Sequence, residues 1–403
     1  MKNGWQWKPV GEVCNVFNGG TPKTGVAEYW DGNHLWITPA EMGKRLSPYV
    51  DDTERKITDS GLQNSSARML PPHSVSLSSR APIGHLVINT KPMATNQGCK
   101  GLVPGKQLQH KFLYYYLSSI VDLLNELGTG ATFKELSGGK LKEVTVPLPP
   151  LAEQERIVGL LDAAFAGLAT AQAHAATNLQ NARALFASHL QSVFSQPGKG
   201  WVENKLKSVT TKIGSGATPR GGEESYKAEG ISLIRSLNVH DLGFKYAKLA
   251  FLDDVQADEL SNVEIQPRDV LLNITGASVA RCCIVPEDVL PARVNQHVSI
   301  IRPTADKLNA DFLHYLLISQ TYKDQLLQTG AEGGSTRQAI TKAQIQDFAV
   351  KYPATLKEQK TIVAKLDAVL AETQRLESIY QRKLAALAEL KKALLHQAFA
   401  GEL

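Results

Sequence analysis

The sequence has little cysteine: its 403 residues include four, and no two of them have C-x-x-C spacing. Cys282 and Cys283 are adjacent, which suits neither a zinc site nor a disulfide framework. A zinc site and a disulfide framework are therefore the less favoured interpretations of these four cysteines. We expect Cys14, Cys99, Cys282 and Cys283 to be buried thiols in a reducing compartment.

The sequence also lacks long apolar runs. No stretch reaches the roughly 18 uninterrupted apolar residues that a membrane span needs. The N-terminal segment MKNGWQWKPV contains no apolar signal region. We therefore predict a cytoplasmic protein that does not enter a membrane.

The common catalytic motifs are missing as well. There is no HExxH, GxSxG or GxGxxG, and Gly138-Gly139-Lys140 lacks the earlier glycine and the hydroxyl residue of a P-loop. The Asn/Asp-Pro-Pro-aromatic motif of amino-methyltransferases is also absent. A nuclease would need acidic pairs such as Asp51-Asp52 and Asp253-Asp254, which we interpret as solvated loop charges. We therefore predict a binding subunit that is not an enzyme and holds no metal and no cofactor.

What the sequence does contain is a modest positive charge. Lys and Arg number 44 against 39 Asp and Glu, a formal net charge of +5, and 43% of the residues are hydrophobic. This balance is typical of a folded protein and excludes a disordered chain. It permits nucleic-acid binding without demonstrating it, since a net charge does not say how charges cluster on a surface.

The two halves of the sequence repeat one another. Near each start a Trp precedes a glycine turn, Gly19-Gly20-Thr21-Pro22-Lys23 in the first half and Gly216-Ala217-Thr218-Pro219-Arg220 in the second. Four further matches follow in the same order: residues 70–75 with 265–270, 96–97 with 295–296, 111–115 with 311–315, and 153–158 with 358–363. Collinear matches of this kind indicate a duplication, and its period is too long for a solenoid.

Each repeat predicts a globular domain followed by a long helix. Short β-branched and aromatic runs separated by Gly, Pro and Ser predict an α+β fold with two duplicated mixed α/β domains. After each domain the composition changes to Ala, Leu, Gln and Glu, which predicts a helix. The predicted boundaries are 1–150 and 198–352 for the domains, and 151–197 and 353–403 for the helices.

Both predicted helices carry heptad repeats of apolar residues. Such a repeat indicates a coiled-coil seam, so we predict that the helices pair antiparallel, separate the domains and give the chain pseudo-two-fold symmetry. The alternative is a long amphipathic helix that lies on its own domain. The residues expected to pair the helices and to dock partners are Leu161, Phe165, Leu168, Leu179 and Phe186, then Ile362, Leu366, Val369, Leu376, Tyr380, Leu387 and Leu394, with Leu390 in the same repeat.

Candidate DNA contacts lie first in the matched glycine turns. Thr21 with Lys23, and Thr218 with Arg220, place a hydroxyl and a cation beside glycines, whose backbone N–H groups can approach phosphate closely. Gly-Thr-Pro is also an ordinary turn, so a purely structural role stays open.

The matched amide pairs are the second set of candidates. Asn96-Gln97 and Asn295-Gln296 carry the side-chain amides that pair with adenine edges, or they satisfy buried backbone groups, which is the interpretation we favour. Nearby cations complete the set: Arg80, Lys100, Arg235, Arg281 and Arg293.

Taken together, these features resemble the DNA-specificity (S) subunits of type I restriction-modification systems. The resemblance covers the whole chain. It rests on the order of domain and helix repeated twice, and on the two Thr-Pro-Lys/Arg turns. It rests also on the segment from Pro149 to Val158 with its repeat from Pro353 to Val363, and on the closing segment from Leu394 to Leu403.

This resemblance implies that each domain is a target recognition domain reading one half of a bipartite, asymmetric site in double-stranded DNA. The helices would dock two methyltransferase (modification) subunits, which bind S-adenosylmethionine and methylate adenine. Separate motor and nuclease (restriction) subunits would cut unmethylated DNA. The alternative is a stand-alone DNA-binding regulator with duplicated domains, which would need only a short dimer interface in place of two long helices.

Overall fold

A computed structural model of the chain describes residues 4–130, 134–331 and 339–403. The chain divides into two compact units, Met1–Ala176 with Arg382–Leu403 (unit 1) and Thr177–Gln381 (unit 2). Each unit contains one globular domain and part of each long helix. A compact unit is therefore not one continuous segment of sequence.

The domain of unit 1 is built on two main sheets. Its strands are β1 Gln6–Pro9, β2 Cys14–Asn18, β3 Trp30–Ile37, β4 Tyr49–Val50, β5 Arg55–Ile57, β6 Val75–Ser79, β7 Ile83–Asn89, β8 Met93–Thr95, β9 Cys99–Pro104 and β10 Thr145–Leu148. Its helices are α1 Val10–Val13, α2 Pro39–Met42, α3 Asp59–Gln63, α4 His110–Ser119, α5 Val121–Leu127 and α6 Gly138–Glu143. The sheet orders are β2-β9-β6-β7-β4 and β5-β3-β8, and β1 pairs with β10.

The domain of unit 2 repeats this plan. Its strands are β11 Trp201–Lys205, β12 Thr210–Ser215, β13 Ile231–Ile234, β14 Val239–His240, β15 Gly243–Phe244, β16 Ala250–Leu252, β17 Val270–Asn273, β18 Cys282–Ile284, β19 Ala292–Val294, β20 Val298–Pro303 and β21 Ala349–Pro353. Its helices are α8 Leu206–Val209, α9 Asp254–Glu259, α10 Ala310–Ile318, α11 Gln320–Ala331 and α12 Lys342–Asp347.

The sheets of the two domains correspond except at β4, the edge strand of the five-stranded sheet in unit 1, which has no counterpart in the four-stranded sheet of unit 2. The orders β12-β20-β17-β18 and β16-β13-β19 and the pair β11-β21 match three sheets of unit 1, and a small β14-β15 sheet is added. In each three-stranded sheet the central strand has one antiparallel and one parallel neighbour. The predicted mixed α/β fold with two duplicated domains is therefore confirmed.

One buried phenylalanine marks the centre of each core. Phe112 on the helix α4 and Phe312 on α10 are both 0% exposed. The N–H of each is capped by the side chain three residues earlier, Gln109 at 2.6 Å and Asn309 at 2.9 Å. The cap fixes where each helix begins, and so it positions the aromatic ring against the sheet.

A repeated glutamine ties each domain to the helix that follows it. The side chain of Gln154 is fully buried and donates to the carbonyls of Gln107 and Pro149 at 2.9 and 2.8 Å. Its carbonyl oxygen accepts from the N–H of Gln109 at 2.8 Å. Gln359 forms the same three bonds in unit 2, at 3.0, 2.9 and 2.8 Å. All three partners are backbone groups, which any sequence can supply.

Two long helices follow the domains. The first, α7, is Leu151–Ser195, and the second, α13, is Leu356–Ala400; each has 45 residues. At about 1.5 Å per residue such a helix is about 68 Å long.

Within unit 1 the start of α7 lies beside the end of α13. The guanidinium of Arg156 donates to the carbonyl of Leu403 at 2.7 Å, and the ammonium of Lys391 lies 5.2 Å from the ring centre of Phe165. Sequence numbers rise along one helix as they fall along the other, so the two segments run antiparallel, as predicted.

Within unit 2 the later part of α7 lies beside the earlier part of α13. Arg183 pairs with Glu377 at 3.2 Å, and Phe186 and Leu366 belong to the same hydrophobic cluster as Phe312. The helix α7 thus packs first on the domain that precedes it and then on the domain that follows it. The alternative, in which it lies only on its own domain, is wrong.

The predicted seam residues all become at least partly buried on folding, with one exception. Leu161, Leu168, Phe186 and Leu366 are buried, and the partly buried ones are Phe165, Leu179, Ile362, Val369, Leu376, Tyr380, Leu387 and Leu394. Leu390 is 47% exposed, so its assignment to the seam is wrong. In a straight α-helix, positions seven residues apart are rotated by about 20° relative to one another. Over a helix this long, residues in one heptad position therefore turn gradually away from the buried face.

A tyrosine and an aspartate join each domain to a long helix. The hydroxyl of Tyr115 donates to Asp162, and that of Tyr315 donates to Asp367 at 2.6 Å. Burial, and then the neighbouring carboxylate, raise the pKa of both phenols far above their ordinary value. Both tyrosines therefore remain hydrogen-bond donors at any physiological pH.

The helix α7 is long and apolar enough to cross a membrane by length and composition alone, with an 18-residue window of mean hydropathy 1.2. Much of this hydropathy comes from its 12 alanines. Core helices of soluble proteins satisfy the same criteria, and the largest apolar side chains of α7 include Leu161 and Phe186, which pack in the cores of their units.

The four cysteines are free and buried. Burial raises the pKa of Cys14, Cys99 and Cys283 to about 12, and that of Cys282 well above its ordinary value. The thiols are therefore protonated and unreactive near neutral pH.

Candidate nucleic-acid interface

In unit 1 three loops meet at the ends of the strands. The N–H of Gly19 donates to the carbonyl of Cys99 at 3.0 Å, which joins the Gly-Gly-Thr-Pro turn to the Asn-Gln turn. The N–H of Ser79 donates to the carbonyl of Gly98 at 2.7 Å, which adds the loop between β6 and β7. We call residues 19–23, 80–82 and 96–98 the first loop cluster.

The same three loops meet in unit 2. The N–H of Gly216 donates to the carbonyl of Asn295 at 3.2 Å, and the N–H of Ile274 donates to the carbonyl of His297 at 3.0 Å. We call residues 216–220, 275–281 and 295–297 the second loop cluster. The structure thus brings together, in each domain, the two segments that the sequence had shown separately.

The glycines of the turns are required by their own domain. A Cβ on Gly19 would lie 2.0 Å from the carbonyl oxygen of Asn96, and one on Gly216 would lie 1.8 Å from that of Val294. The N–H groups of both glycines already donate to carbonyls. Our expectation that these amides approach phosphate is therefore replaced by a packing role, and the side chains that follow them remain candidates.

The asparagines of the amide pairs stabilise their own turns. In both Asn96 and Asn295 the side-chain oxygen accepts from the N–H two residues later, at 2.8 and 3.0 Å. This is the bonding of an Asx turn, and it matches the interpretation that we favoured. The adjacent Gln97 and Gln296 are exposed, so the second amide of each pair faces solvent.

The threonines of the glycine turns bond to these same amide pairs. The side-chain NH₂ of Asn96 donates to the hydroxyl of Thr21 at 2.9 Å. In unit 2 the hydroxyl of Thr218 donates to the side-chain oxygen of Gln296. Each threonine therefore joins its glycine turn to the Asn-Gln turn by a hydrogen bond, and its hydroxyl is only partly available to a ligand.

Three of the candidate cations are engaged within the protein. Arg293 is 7% exposed and donates to two backbone carbonyls at 3.1 Å. Lys100 is 5% exposed and lies 3.7 Å from the carboxylate of Glu135. Arg235 pairs with Glu223 at 2.5 Å, with only 12% of its side chain exposed. These positions neutralise internal charge and have little surface left for DNA.

The other candidate cations face solvent. Lys23 and Arg220 are exposed, and their side chains form no ion pair or hydrogen bond with the described residues. Arg281 is partly exposed and likewise has no such partner among them. Arg80 lies 3.6 Å from Glu135, with 37% of its side chain exposed. Each loop cluster therefore presents an exposed cation beside its Thr-Pro turn.

The second loop cluster borders a cavity of about 410 Å³ that includes Thr275, Arg281 and His297 in its lining. The amide of Gln296 lies 3.1 Å from Nε2 of His297, and the other ring nitrogen, Nδ1, lies 2.5 Å from the hydroxyl of Thr275. Sequence reasoning missed Thr275 and His297, because the ten histidines show no pattern. The one available signal was that His297 directly follows a matched Asn-Gln pair.

The acidic pairs have structural roles. Asp253 caps the helix α9, and the N–H of Gln256, followed by Lys227, lowers the pKa of its carboxyl group. Asp52 pairs with Lys56 at 3.0 Å. No group of three or more His, Cys, Asp or Glu side chains arranged to hold a metal ion occurs among the described residues.

The sequence matches the type I restriction modification DNA specificity domain over residues 2–176 and again over residues 198–383. The chain belongs to this family. Both matches begin near the start of a domain and run well into the helix that follows it, so the family unit is the same repeat that the sequence shows.

Several proteins similar to this chain are named specificity subunits of type I restriction enzymes. This DNA specificity family member is 36% identical over 159 residues to the type I restriction enzyme MjaIX specificity subunit of Methanocaldococcus jannaschii, covering 39% of this chain and 37% of the relative. It is 31% identical over 164 residues to the EcoR124I/EcoR124II specificity subunit of Escherichia coli, covering 39% and 40%. The chain thus spans about two fifths of these two relatives. It is 22% identical over 439 residues to the StySPI specificity subunit of Salmonella potsdam, covering 100% and 90%.

Solved structures share the fold. One is a chain from a study of complex assembly and conformational transition of the type I R-M system, with a TM-score of 0.78 at 21% identity, covering 100% of this chain and 99% of that one. Another is the HsdS subunit from Thermoanaerobacter tengcongensis, with a TM-score of 0.64 at 21% identity, covering 100% and 98%. Both chains therefore share the fold of this one.

The two exposed turn cations of this family member give a direct test. Changing Lys23 or Arg220 to Gln is expected to weaken binding to all DNA sequences and to lower the slope of log K against log salt by about one for each phosphate that the cation neutralises. Fluorescence anisotropy of labelled duplex at several salt concentrations measures both quantities. Lys91→Gln removes an exposed cation at the opposite end of β7 and serves as the control. An unchanged slope in K23Q and R220Q would limit these turns to a structural role.

Proposed function

We propose that this chain is the DNA-recognition subunit of a type I restriction-modification complex, in which each loop cluster reads one half of a bipartite, asymmetric site in double-stranded DNA. The observation that carries the proposal is the repeated loop cluster. Both copies bring the same three loops together through backbone hydrogen bonds, while the length of one loop and the side chains displayed differ. A shared scaffold with different surface groups is what reading two unlike half-sites requires.

The charge distribution supports a chain that binds DNA together with partner subunits. The net charge is only +5, and three of the candidate cations are engaged by internal partners. Four candidate cations, Lys23, Arg80, Arg220 and Arg281, keep surface for phosphate contacts, each of which contributes to affinity. We infer that partner subunits supply part of the phosphate neutralisation.

The long helices offer surface for such partners. Beyond the residues that face their own unit, α7 and α13 present many exposed side chains, among them Leu160, Leu185 and Leu390 at 46%, 47% and 47%. We propose that these helices dock two methyltransferase subunits, which bind S-adenosylmethionine and methylate adenine. Motor and nuclease subunits complete the restriction complex, and the complex works on DNA in the cytoplasm.

Catalysis is assigned to the partners and not to this chain. We propose that the chain alone, supplied with S-adenosylmethionine or with magnesium and ATP, neither methylates nor cleaves DNA. Its role is to place the target adenine in reach of a partner.

Removing the gene tests the function. In a strain that carries the gene and its neighbouring methyltransferase gene, genome-wide methylation mapping is expected to show one two-part motif with a fixed gap. Deleting this gene alone is expected to abolish methylation at that motif, and a plasmid copy is expected to restore it. Methylation that persists without the gene would contradict the proposal, and it would leave the stand-alone regulator as the better account.

A further inference from the structure

Backbone hydrogen bonds establish which residues of the two loop clusters occupy the same place. The N–H of Ser79 donates to Gly98, and the N–H of Ile274 donates to His297, so Gly98 and His297 are equivalent. The residues after those donors, Arg80 and Thr275, are then equivalent too. Isolated bridges agree, since Arg80 pairs with Glu135 and Thr275 pairs with Ala339.

These two equivalent positions are filled in opposite ways. In unit 1 a large residue, Arg80, stands beside the glycine Gly98, and a Cβ on that glycine would lie 3.2 Å from Nε of Arg80. In unit 2 a small residue, Thr275, stands beside the large His297, at 2.5 Å from its Nδ1. In each domain one large polar side chain therefore occupies the same volume, and it comes from a different loop.

The residues around Arg80 and those around His297 also differ in charge. Around Arg80 the neighbours are Glu135, at 3.6 Å, and Lys100, which lies 3.7 Å from the same carboxylate. The residues at the corresponding places in unit 2 are Ala339 and Ser299, which carry no charge. The ion pair in unit 1 suits a guanidinium. In unit 2 the imidazole of His297 is held by hydrogen bonds to Thr275 and Gln296, and the charged residue that lines the same cavity, Arg281, comes from the far end of the loop.

The shared residues of the clusters do not distinguish the two domains. Thr21 and Thr218, and the Asn-Gln pairs, are the same in both copies and hold the turns together. A difference in the base sequence that the two domains read must therefore come from positions that differ between the copies.

We propose, on the basis of the proposed function, that the Arg80/Gly98 and Thr275/His297 pairs form one specificity-determining position in each domain, and that the guanidinium of Arg80 and the imidazole of His297 hydrogen-bond to a base edge in their respective half-sites. An arginine donates two parallel N–H groups to O6 and N7 of guanine, and an imidazole offers one ring nitrogen at a time. The two domains thus select different bases at equivalent places.

Exchanging the pairs tests this assignment. The variant Arg80→Thr/Gly98→His gives unit 1 the arrangement of unit 2, and Thr275→Arg/His297→Gly does the reverse. Each is expressed with its methyltransferase subunit in a strain that lacks the natural gene, and the methylated motif is mapped. R80T/G98H is expected to change one base pair of the first half-site and no base of the second, and T275R/H297G is expected to do the opposite. Discrimination at the affected base pair is expected to fall by about 10- to 100-fold.

A simpler variant guards against a folding failure in the double variants. Arg80→Gln leaves Gly98 unfilled and adds no bulk, so it is expected to fold and to lose preference at the same single base pair. Lys91→Gln, an exposed cation outside the loop cluster, is expected to leave the motif unchanged.

The outcomes separate this inference from the proposed function. If the unmodified chain supports no gene-dependent methylated motif, the proposed function fails. If it does, and R80Q leaves the preference at every base pair as it was, the inference is overturned. A uniform weakening across all sequences in R80Q also overturns it, because that result identifies a phosphate contact.

Discussion

Exchanging residues 198–352 for the corresponding segment of another family member is expected to change one half of the methylated sequence and to leave the other half intact. The structure explains why the exchange can be tolerated. Gln359 holds this domain through the carbonyls of Lys307 and Pro353 and the N–H of Asn309, all of them backbone groups. A donor segment with a different surface supplies the equivalents of the Lys307 carbonyl and the Asn309 N–H, while Pro353 stays in the recipient chain. Two side-chain bonds to the retained helices have to be kept: the hydroxyl of Tyr315 donates to Asp367, and the side-chain NH₂ of Gln191 donates to the hydroxyl of Thr321 at 2.7 Å.

Methylation mapping of the chimaera measures the result. The reciprocal exchange of residues 1–150 is the matched control, and it is expected to alter only the other half-site. Gln154 provides the equivalent backbone anchor in that unit. A chimaera that altered both halves, or neither half while still supporting methylation, would refute modular recognition.

Changing Phe399 to Ala is expected to lower the free energy of unfolding of unit 1 by about 3–5 kcal/mol. Phe399 is 6% exposed, and its ring centre lies 5.2 Å from those of both Phe112 and Tyr116. Removing this ring leaves a cavity in a core that also anchors the start of α7. The loss of stability is expected in the N-terminal domain, although the substitution lies near the C-terminus of the sequence.

Urea denaturation followed by tryptophan fluorescence measures this change, because four of the five tryptophans lie in unit 1 and only Trp201 lies in unit 2. Leu390→Ala, in the same helix at 47% exposure, is the control and is expected to change the free energy of unfolding by less than about 0.5 kcal/mol. A shift in F399A no larger than that of L390A would show that α13 is not part of the unit 1 core.

Much of the fold could be predicted because duplication leaves a signal in the sequence itself. Gln154 and Gln359 stand in the matched segments, and the structure gives them identical bonds. The packing of the helices was harder to predict. A heptad repeat identifies an apolar stripe but not what covers it, so the packing of α7 on two domains was missed and Leu390 was misplaced.

The candidate site was predicted in outline only. Matched polar residues mark loops that come together, and both clusters formed as those matches indicated. Burial and pairing depend on the fold, so the sequence did not separate Arg293, which is buried, from Arg220, which is exposed. Unmatched residues such as Gly98 and His297 give no signal in a search for repeats, although we propose that their difference contributes to the different base preferences of the two domains.

The assignment of Arg382–Leu403 to unit 1 has a consequence for synthesis on the ribosome. Arg156 and its partner Leu403 are separated by 247 residues. At about 5–20 residues per second, roughly 10–50 s pass between the emergence of the first partner and that of the second. During that time the whole second domain is made, while the surface around Phe112 and Tyr116 that Phe399 later covers stays open to water. The first domain to be synthesised is therefore the last to be completed, and a nascent chain stalled before Phe399 leaves the rings of Phe112 and Tyr116 without their aromatic partner.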